Sequence, residues 1–327
     1  MSNSTGAMEL LPLPNYTDPL NLTVAIILLV LGVFGLICNG SIVYIFQKEK
    51  SERTSFNLIC VFRSFSNIYI LGTTFLGLFL PKTILGFSPY SPELECWLIH
   101  LSNTLYMGNE YQIILVAVNR FFAMFFPFQY HKIFGIKVTL VVLVAIYTVR
   151  VIVVIFETLP QIEKQCFTFY SLEQLAWMYD QKDTCKTDDN ILIVISVTFV
   201  IMTMINGATL VKIIMFYKSG KTESSETKKR IRRNVFLFLQ TGLQDSLYLI
   251  DLSFMIKFST LIDGRWWSYI SGTFVWECLH SVDGFIMIMF NEKLSLLRRQ
   301  IFSTSASKVP PPKMTMSAVS AMPPVAG

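Results

Sequence analysis

Residues 96–130 read CWLIHLSNTLYMGNEYQIILVAVNRFFAMFFPFQY, and this stretch decides the fold. It opens on Cys96-Trp97, runs through a mostly apolar segment and closes on Asn119-Arg120-Phe121, with Pro127 beyond. At about 1.5 Å per residue in a helix, Cys96 to Arg120 covers about 36 Å. That length crosses a hydrocarbon core of about 30 Å with some tilt. A thiol at one face and a cation at the other describe one member of a transmembrane helix bundle.

The remainder of the chain extends this reading. It has 327 residues, 53% of them hydrophobic and only 15% charged, with a mean hydropathy of +0.52. A soluble domain has no means of hiding that much apolar surface, so the class is an all-α membrane protein with several spans. Besides residues 97–126, apolar runs occupy approximately 24–46, 56–80, 136–158, 190–216, 234–257 and 268–290, which predicts seven transmembrane helices. The net charge of +5 is weak evidence for a nucleic-acid partner, and none is expected. The placement of the charges says more. With the N-terminus outside, eighteen Lys and Arg fall on the inner side and five on the outer, the asymmetry of the positive-inside rule.

Three sequons, at Asn3, Asn15 and Asn21, predict glycosylation of an outer tail over residues 1–23. The bundle is expected over 24–301, with a short cytoplasmic helix at its end, followed by a Pro/Ser/Ala/Met-rich disordered cytoplasmic tail over 302–327. Cys96, Cys166 and Cys185 all fall on the outer side, where disulfides persist. The favoured bridge is Cys96–Cys185, with Cys96–Cys166 as the alternative.

The three histidines, His100, His131 and His280, lie in different segments. There is no HExxH pair, phosphate-binding loop, nucleophile elbow or CxxC cluster, so no enzyme activity, metal or cofactor is expected. Acids and bases inside the spans (Arg63, Glu110, Arg150, Glu157, Asp245, Asp251, Glu277 and Asp283) are costly in lipid and should face the bundle interior. They serve there either in helix packing or at a ligand or switch site.

The run 118–127, VNRFFAMFFP, the residues Phe238-Leu239-Gln240 with Gln244-Asp245 in span six, and 283–287, DGFIM, in span seven resemble the rhodopsin-like G-protein-coupled receptors. More narrowly they are similar to the nematode serpentine chemoreceptors of class X, over roughly residues 20–300. The resemblance implies a small-molecule ligand, a heterotrimeric G protein as partner, and the plasma membrane, including the cilium of sensory neurons. It implies a G-protein contact at Arg120, with Asn119, Tyr130 and Asp283 in the switch; Asn119 replaces the usual acid, so no acid pairs with Arg120 next door. Asn39 and Asn67 match polar core positions, and an Asn39–Asn67–Asp283 network is expected, with the carboxylate moved from span two to span seven. A ligand between the outer halves of spans three, five, six and seven would meet Asn103, Tyr106, Met107, Tyr248, Asp251 and Glu277. A seven-helix ligand-gated channel or transporter is the second reading; the unlike halves of the chain and the absence of a deep proline in any span count against a transporter.

Overall fold

The computed structural model describes residues 18–180, 182, 185, 190–218 and 225–291. The sequons at Asn3 and Asn15, residues 219–224 of the basic inner loop, the short helix expected after the last span and the tail 302–327 lie outside the described residues.

Among the described residues the fold is a bundle of seven long helices: α1 (Pro19–Lys48), α2 (Ser55–Leu85), α3 (Pro92–Phe125), α4 (Ile136–Glu163), α5 (Asn190–Lys218), α6 (Ser225–Ile256) and α7 (Arg265–Phe290). Five of them are long and apolar enough to cross a membrane by length and composition alone. The other two, α3 and α6, each carry several polar and charged side chains, which lowers their hydropathy without shortening them. A short helix, Pro127–Ile133, links α3 to α4.

Local chemistry sets the boundaries. Asp18, Thr54 and Ser91 cap α1, α2 and α3, their side chains accepting from the amides of Leu20, Asn57 and Leu94. Proline at the first turn of α1 and α3 forfeits no helical hydrogen bond. The last turn of α2 stops at Gly86, whose φ of 76° suits a residue without a β-carbon. Within α2 and α7 the backbone widens to π-helix over Ile70–Phe79 and Ile270–Phe274.

Helix α3 runs through the centre and touches α2, α4, α5 and α6, while α1 packs on α2 and α7. Small residues permit the closest approaches. A β-carbon on Gly284 of α7 would lie 2.5 Å from the Asn39 amide of α1. Facing outward, α1 and α4 expose aliphatic side chains such as Ile37, Val141 and Phe156, a surface suited to lipid.

One element was not foreseen in the sequence. Between α4 and α5 the chain forms an antiparallel hairpin, β1 (Thr168–Ser171) and β2 (Ala176–Tyr179). It covers one end of the bundle, β1 against α3 and β2 against α7.

The hairpin also corrects the cysteine pairing. The disulfide joins Cys166 to Cys185, the two residues that flank the hairpin, with Cα atoms 5.4 Å apart. Cys96 is a free thiol, fully buried beneath β1 and facing Thr168. The tie between hairpin and bundle comes instead from its neighbour Glu95, which is 2% exposed. Glu95 accepts from the amide of Tyr170 at 2.7 Å, from Lys82 Nζ at 2.6 Å and from Ser88 Oγ at 3.0 Å. On the other flank Arg265 donates to Asp18 Oδ2 at 2.5 Å, Asn21 Oδ1 at 2.7 Å and the carbonyl of Leu172 at 2.9 Å. That guanidinium holds the Asp18 carboxyl below the usual carboxylate range, so its contribution to stability is lost only in acid. Asn21 is 1% exposed and sits in the first turn of α1 against Arg265, which corrects the expectation of a glycan there.

Removing Glu95 leaves Lys82 as a buried, uncompensated cation. We expect Glu95→Ala to destabilise the protein by about 3–5 kcal/mol and Cys96→Ala by about 1 kcal/mol. Thermal unfolding of the purified protein reads both. A larger loss from Cys96→Ala than from Glu95→Ala would mean that the thiol, not the carboxylate, holds the hairpin.

Candidate functional site

The centre of the bundle is a polar network built on Asp283 of α7, which is fully buried. Its carboxylate accepts from Arg63 Nε at 2.9 Å, Asn67 Nδ2 at 2.8 Å and Gln244 Nε2 at 2.8 Å. Asn67 Nδ2 also donates to Asn39 Oδ1 at 3.1 Å, and Asn39 Nδ2 to the carbonyls of Gly35 and His280. The structure therefore brings Asn39, Asn67 and Asp283 together. On its other side Asn67 Oδ1 meets Asn109 Nδ2 at 3.2 Å and His280 Nδ1 at 2.8 Å. Tyr147 of α4 donates to Asn109 Oδ1 at 2.8 Å and receives donors from Ser66 and Gln112.

Arg63 is the partner that sequence reasoning missed. It is one turn before Asn67 on α2, and that four-residue spacing was the available signal that both face the same carboxylate. Its guanidinium also lies over the ring of Tyr248, 4.8 Å from the centroid.

At the opposite end from the hairpin, Arg120 Nη1 donates to the carbonyl of Phe238 on α6 at 3.3 Å, and the guanidinium lies 5.4 Å from the centre of the Phe238 ring. Its Nη2 is buried with no hydrogen-bond partner. Asn119 Oδ1 accepts from Tyr130 Oη at 3.3 Å, so asparagine anchors the linking helix rather than the arginine. Asp245 of α6 is bonded to Asn206 of α5 at 3.2 Å.

Toward the hairpin, Tyr106 Oη donates to Asp251 Oδ2 at 2.9 Å, joining α3 to α6, and the rings of Tyr106 and Tyr248 are 5.4 Å apart. Asn103 and Met107 are half-buried on the same stretch of α3. Glu277 stands apart from this group. It is four residues from Ser281 and seven from Gly284, both of which meet α1, so it shares their face of α7. Its neighbours are Tyr269 and Tyr170, and neither carboxyl oxygen has a hydrogen-bond partner.

A cavity of about 750 Å³ lies between the hairpin and the ends of α6 and α7. Trp177, Tyr179, Met255, Ser268, Ser271 and Gly272 are among its lining residues. None of the six side chains expected at the ligand lines it directly; Met255 lies one turn beyond Asp251. The hairpin residues that complete the cavity come from a loop whose sequence carries no helical periodicity, which is why they were missed.

One helix connects these sites. Through Asp251, Gln244 and the carbonyl of Phe238, α6 is bonded in turn to α3, α7 and α3 again, at levels about two turns apart. Removing the charge of Asp283 strands Arg63 in the middle of the bundle. Asp283→Asn is expected to cost about 3–5 kcal/mol, and Arg63→Gln on that background to restore part of it. A double-mutant cycle on unfolding free energies measures the coupling; additive effects would show that the pair is not one unit.

Residues 29–291 match the family described as serpentine type 7TM GPCR chemoreceptor Srx. The chain is also similar to serpentine receptor class X 45 of Caenorhabditis elegans, 23% identical over 312 residues that cover 87% of this chain and 83% of that protein. A match over most of the length, on a bundle of seven helices with a buried polar centre, makes this chain a member of the Srx family of serpentine seven-transmembrane chemoreceptors.

Proposed function

We propose that this receptor binds a small molecule at the hairpin end of the bundle and signals to a heterotrimeric G protein at the Arg120 end. The observation that carries the reading is the polar ladder on α6. A ligand that enters the cavity meets Met255, one turn from Asp251 and its bond to Tyr106. A ligand that prefers a displaced α6 shifts the population toward that state by its differential affinity. The same helix then surrenders Gln244 from Asp283 and Phe238 from Arg120, and the arginine turns its unpartnered nitrogen toward the G protein. Tyr106, Tyr248 and Asp251, flanked by Asn103 and Met107, are the ligand side of this reading; Asn119, Arg120, Tyr130 and Asp283 are its switch side.

In this reading the hairpin end and the tail 1–23 face outward, supported by the five-to-eighteen split of Lys and Arg. The bundle over 24–301 sits in the plasma membrane, with the sensory cilium as its site in a neuron, and residues 302–327 are a cytoplasmic tail.

The test is agonist-stimulated nucleotide exchange in a heterologous membrane, with a panel of small odorants and a surface tag. Arg120→Ala is expected to lose about tenfold or more of the response at equal surface level, the scale of a lost charged hydrogen bond. Gln244→Leu, which frees α6 from Asp283, is expected to raise signalling without ligand. A response that survives both Arg120→Ala and G-protein blockade, as an ionic current would, overturns the reading.

A further inference from the structure

The chemistry of the cavity under the hairpin narrows what can fill it. Among its described lining residues the formal charges are those of Asp180 and Lys182. They neutralise each other: Lys182 Nζ lies 2.7 Å from Asp180 Oδ2 and also donates to the carbonyl of Gln165. No charge is left over to hold an ionic ligand. Cys185 is oxidised in the disulfide, so it offers no thiol. Aromatic and sulfur-bearing side chains shape the apolar wall. Trp177 and Tyr179, two apart on β2, share a face of the hairpin, and their rings meet edge to face at 5.4 Å. Met255 of α6 adds a thioether. Gly272 of α7 puts no side chain into the space; a β-carbon there would stand 3.0 Å from that of Ala176.

The polar groups divide by side. Ser259, Ser268 and Ser271 line the cavity from the helices, and their hydroxyl protons are committed. They go to the carbonyl of Met255 at 2.8 Å, to Gln174 Oε1 at 2.9 Å and to the carbonyl of Trp267 at 2.9 Å. Each serine oxygen keeps lone pairs and acts as an acceptor. From the hairpin, Gln174 keeps its amide donors and Trp177 its indole N–H. A hydroxyl group serves both sides at once, donating to a serine and accepting from the hairpin. An ion would give up its hydration here against a wall with no counter-charge. Building on the receptor reading above, we infer that the cavity takes an uncharged aromatic compound that carries a hydroxyl group. Its ring packs against Trp177, Tyr179 and the Met255 thioether. The volume of about 750 Å³ suits a ligand of drug size, so a single-ring alcohol is a fragment of the full ligand.

The experiment is binding to the purified full-length receptor, read by thermal stabilisation over a concentration series of 2-phenylethanol. The comparisons are phenethylammonium, phenylacetate, 2-cyclohexylethanol and the methyl ether of 2-phenylethanol. Saturable stabilisation by the aromatic alcohol is expected, about tenfold or more tighter than by either ion. The cyclohexyl alcohol and the ether are each expected to bind about threefold or more weaker. The double variant Ser259→Ala, Ser271→Ala should weaken the alcohol about fivefold and spare the ether, and Trp177→Ala should weaken both. Should a variant fail to fold, the five compounds compared on the wild type decide by themselves. An ion that binds as tightly as the alcohol, equal affinity for the cyclohexyl alcohol, affinity unchanged in the serine double variant, or no saturable shift from any of the five overturns the inference. G-protein activation by one of the ions would leave the receptor reading standing while this inference fell.

Discussion

A single carboxylate holds the middle of this bundle. Asp283 takes a charge-assisted bond from Arg63 and amide bonds from Asn67 and Gln244, so α2, α6 and α7 converge on two oxygen atoms. In an apolar interior such a group is tolerated only when its acceptor sites are filled, and removing one partner costs more than the pair contributes. The surrounding geometry follows from that demand. Asn67 must turn its nitrogen to Asp283, which fixes its oxygen toward Asn109 and His280, and that in turn sets the tautomer of the histidine. Gly284, next in sequence, allows α1 to approach closely enough for Asn39 to join.

The end of the bundle under the hairpin obeys a different logic. Its covalent link, Cys166–Cys185, closes the loop on itself and leaves the hairpin to be docked by charge. Glu95 and Arg265 do this from two sides, each bonding to one backbone group of the hairpin segment, the Tyr170 amide and the Leu172 carbonyl. Stacking of Phe79 on Tyr170, 4.3 Å between centroids, and packing of Trp177 near Trp276 complete the seat. A lid held by polar contacts over a cavity can be displaced without breaking a covalent bond between loop and helix.

Much of the architecture was legible because lipid is an exacting solvent. Seven apolar runs of the right length left little freedom in the number of helices, and the family pattern located Asn39, Asn67 and Asp283 before their contacts were known. Helix rotation was harder to read. Glu277 looked like a pocket residue from its depth, yet its spacing from Ser281 and Gly284 turns it to α1. The neighbours Glu95 and Cys96 show the same limit: both are acceptable tethers in sequence, and only the position of β1 decides that the carboxylate is used. The hairpin itself lies in a loop of mixed composition, where period gives no signal.

The three levels at which α6 is held also constrain how it can move. Phe238, Gln244, Asp251 and Met255 fall within an arc of less than half its circumference, at 100° per residue. The helix contains no proline between Ser225 and Ile256, and hence lacks the commonest cause of a sharp kink. A stiff rod gripped along one side lets go most readily by rolling about its own axis. A torsion of a few tens of degrees would lift every grip together, whereas a swing would have to tear them one after another. In the receptor reading proposed above, cooperativity along the helix is thus a matter of shared angular position, and a ligand need only apply a torque at one end.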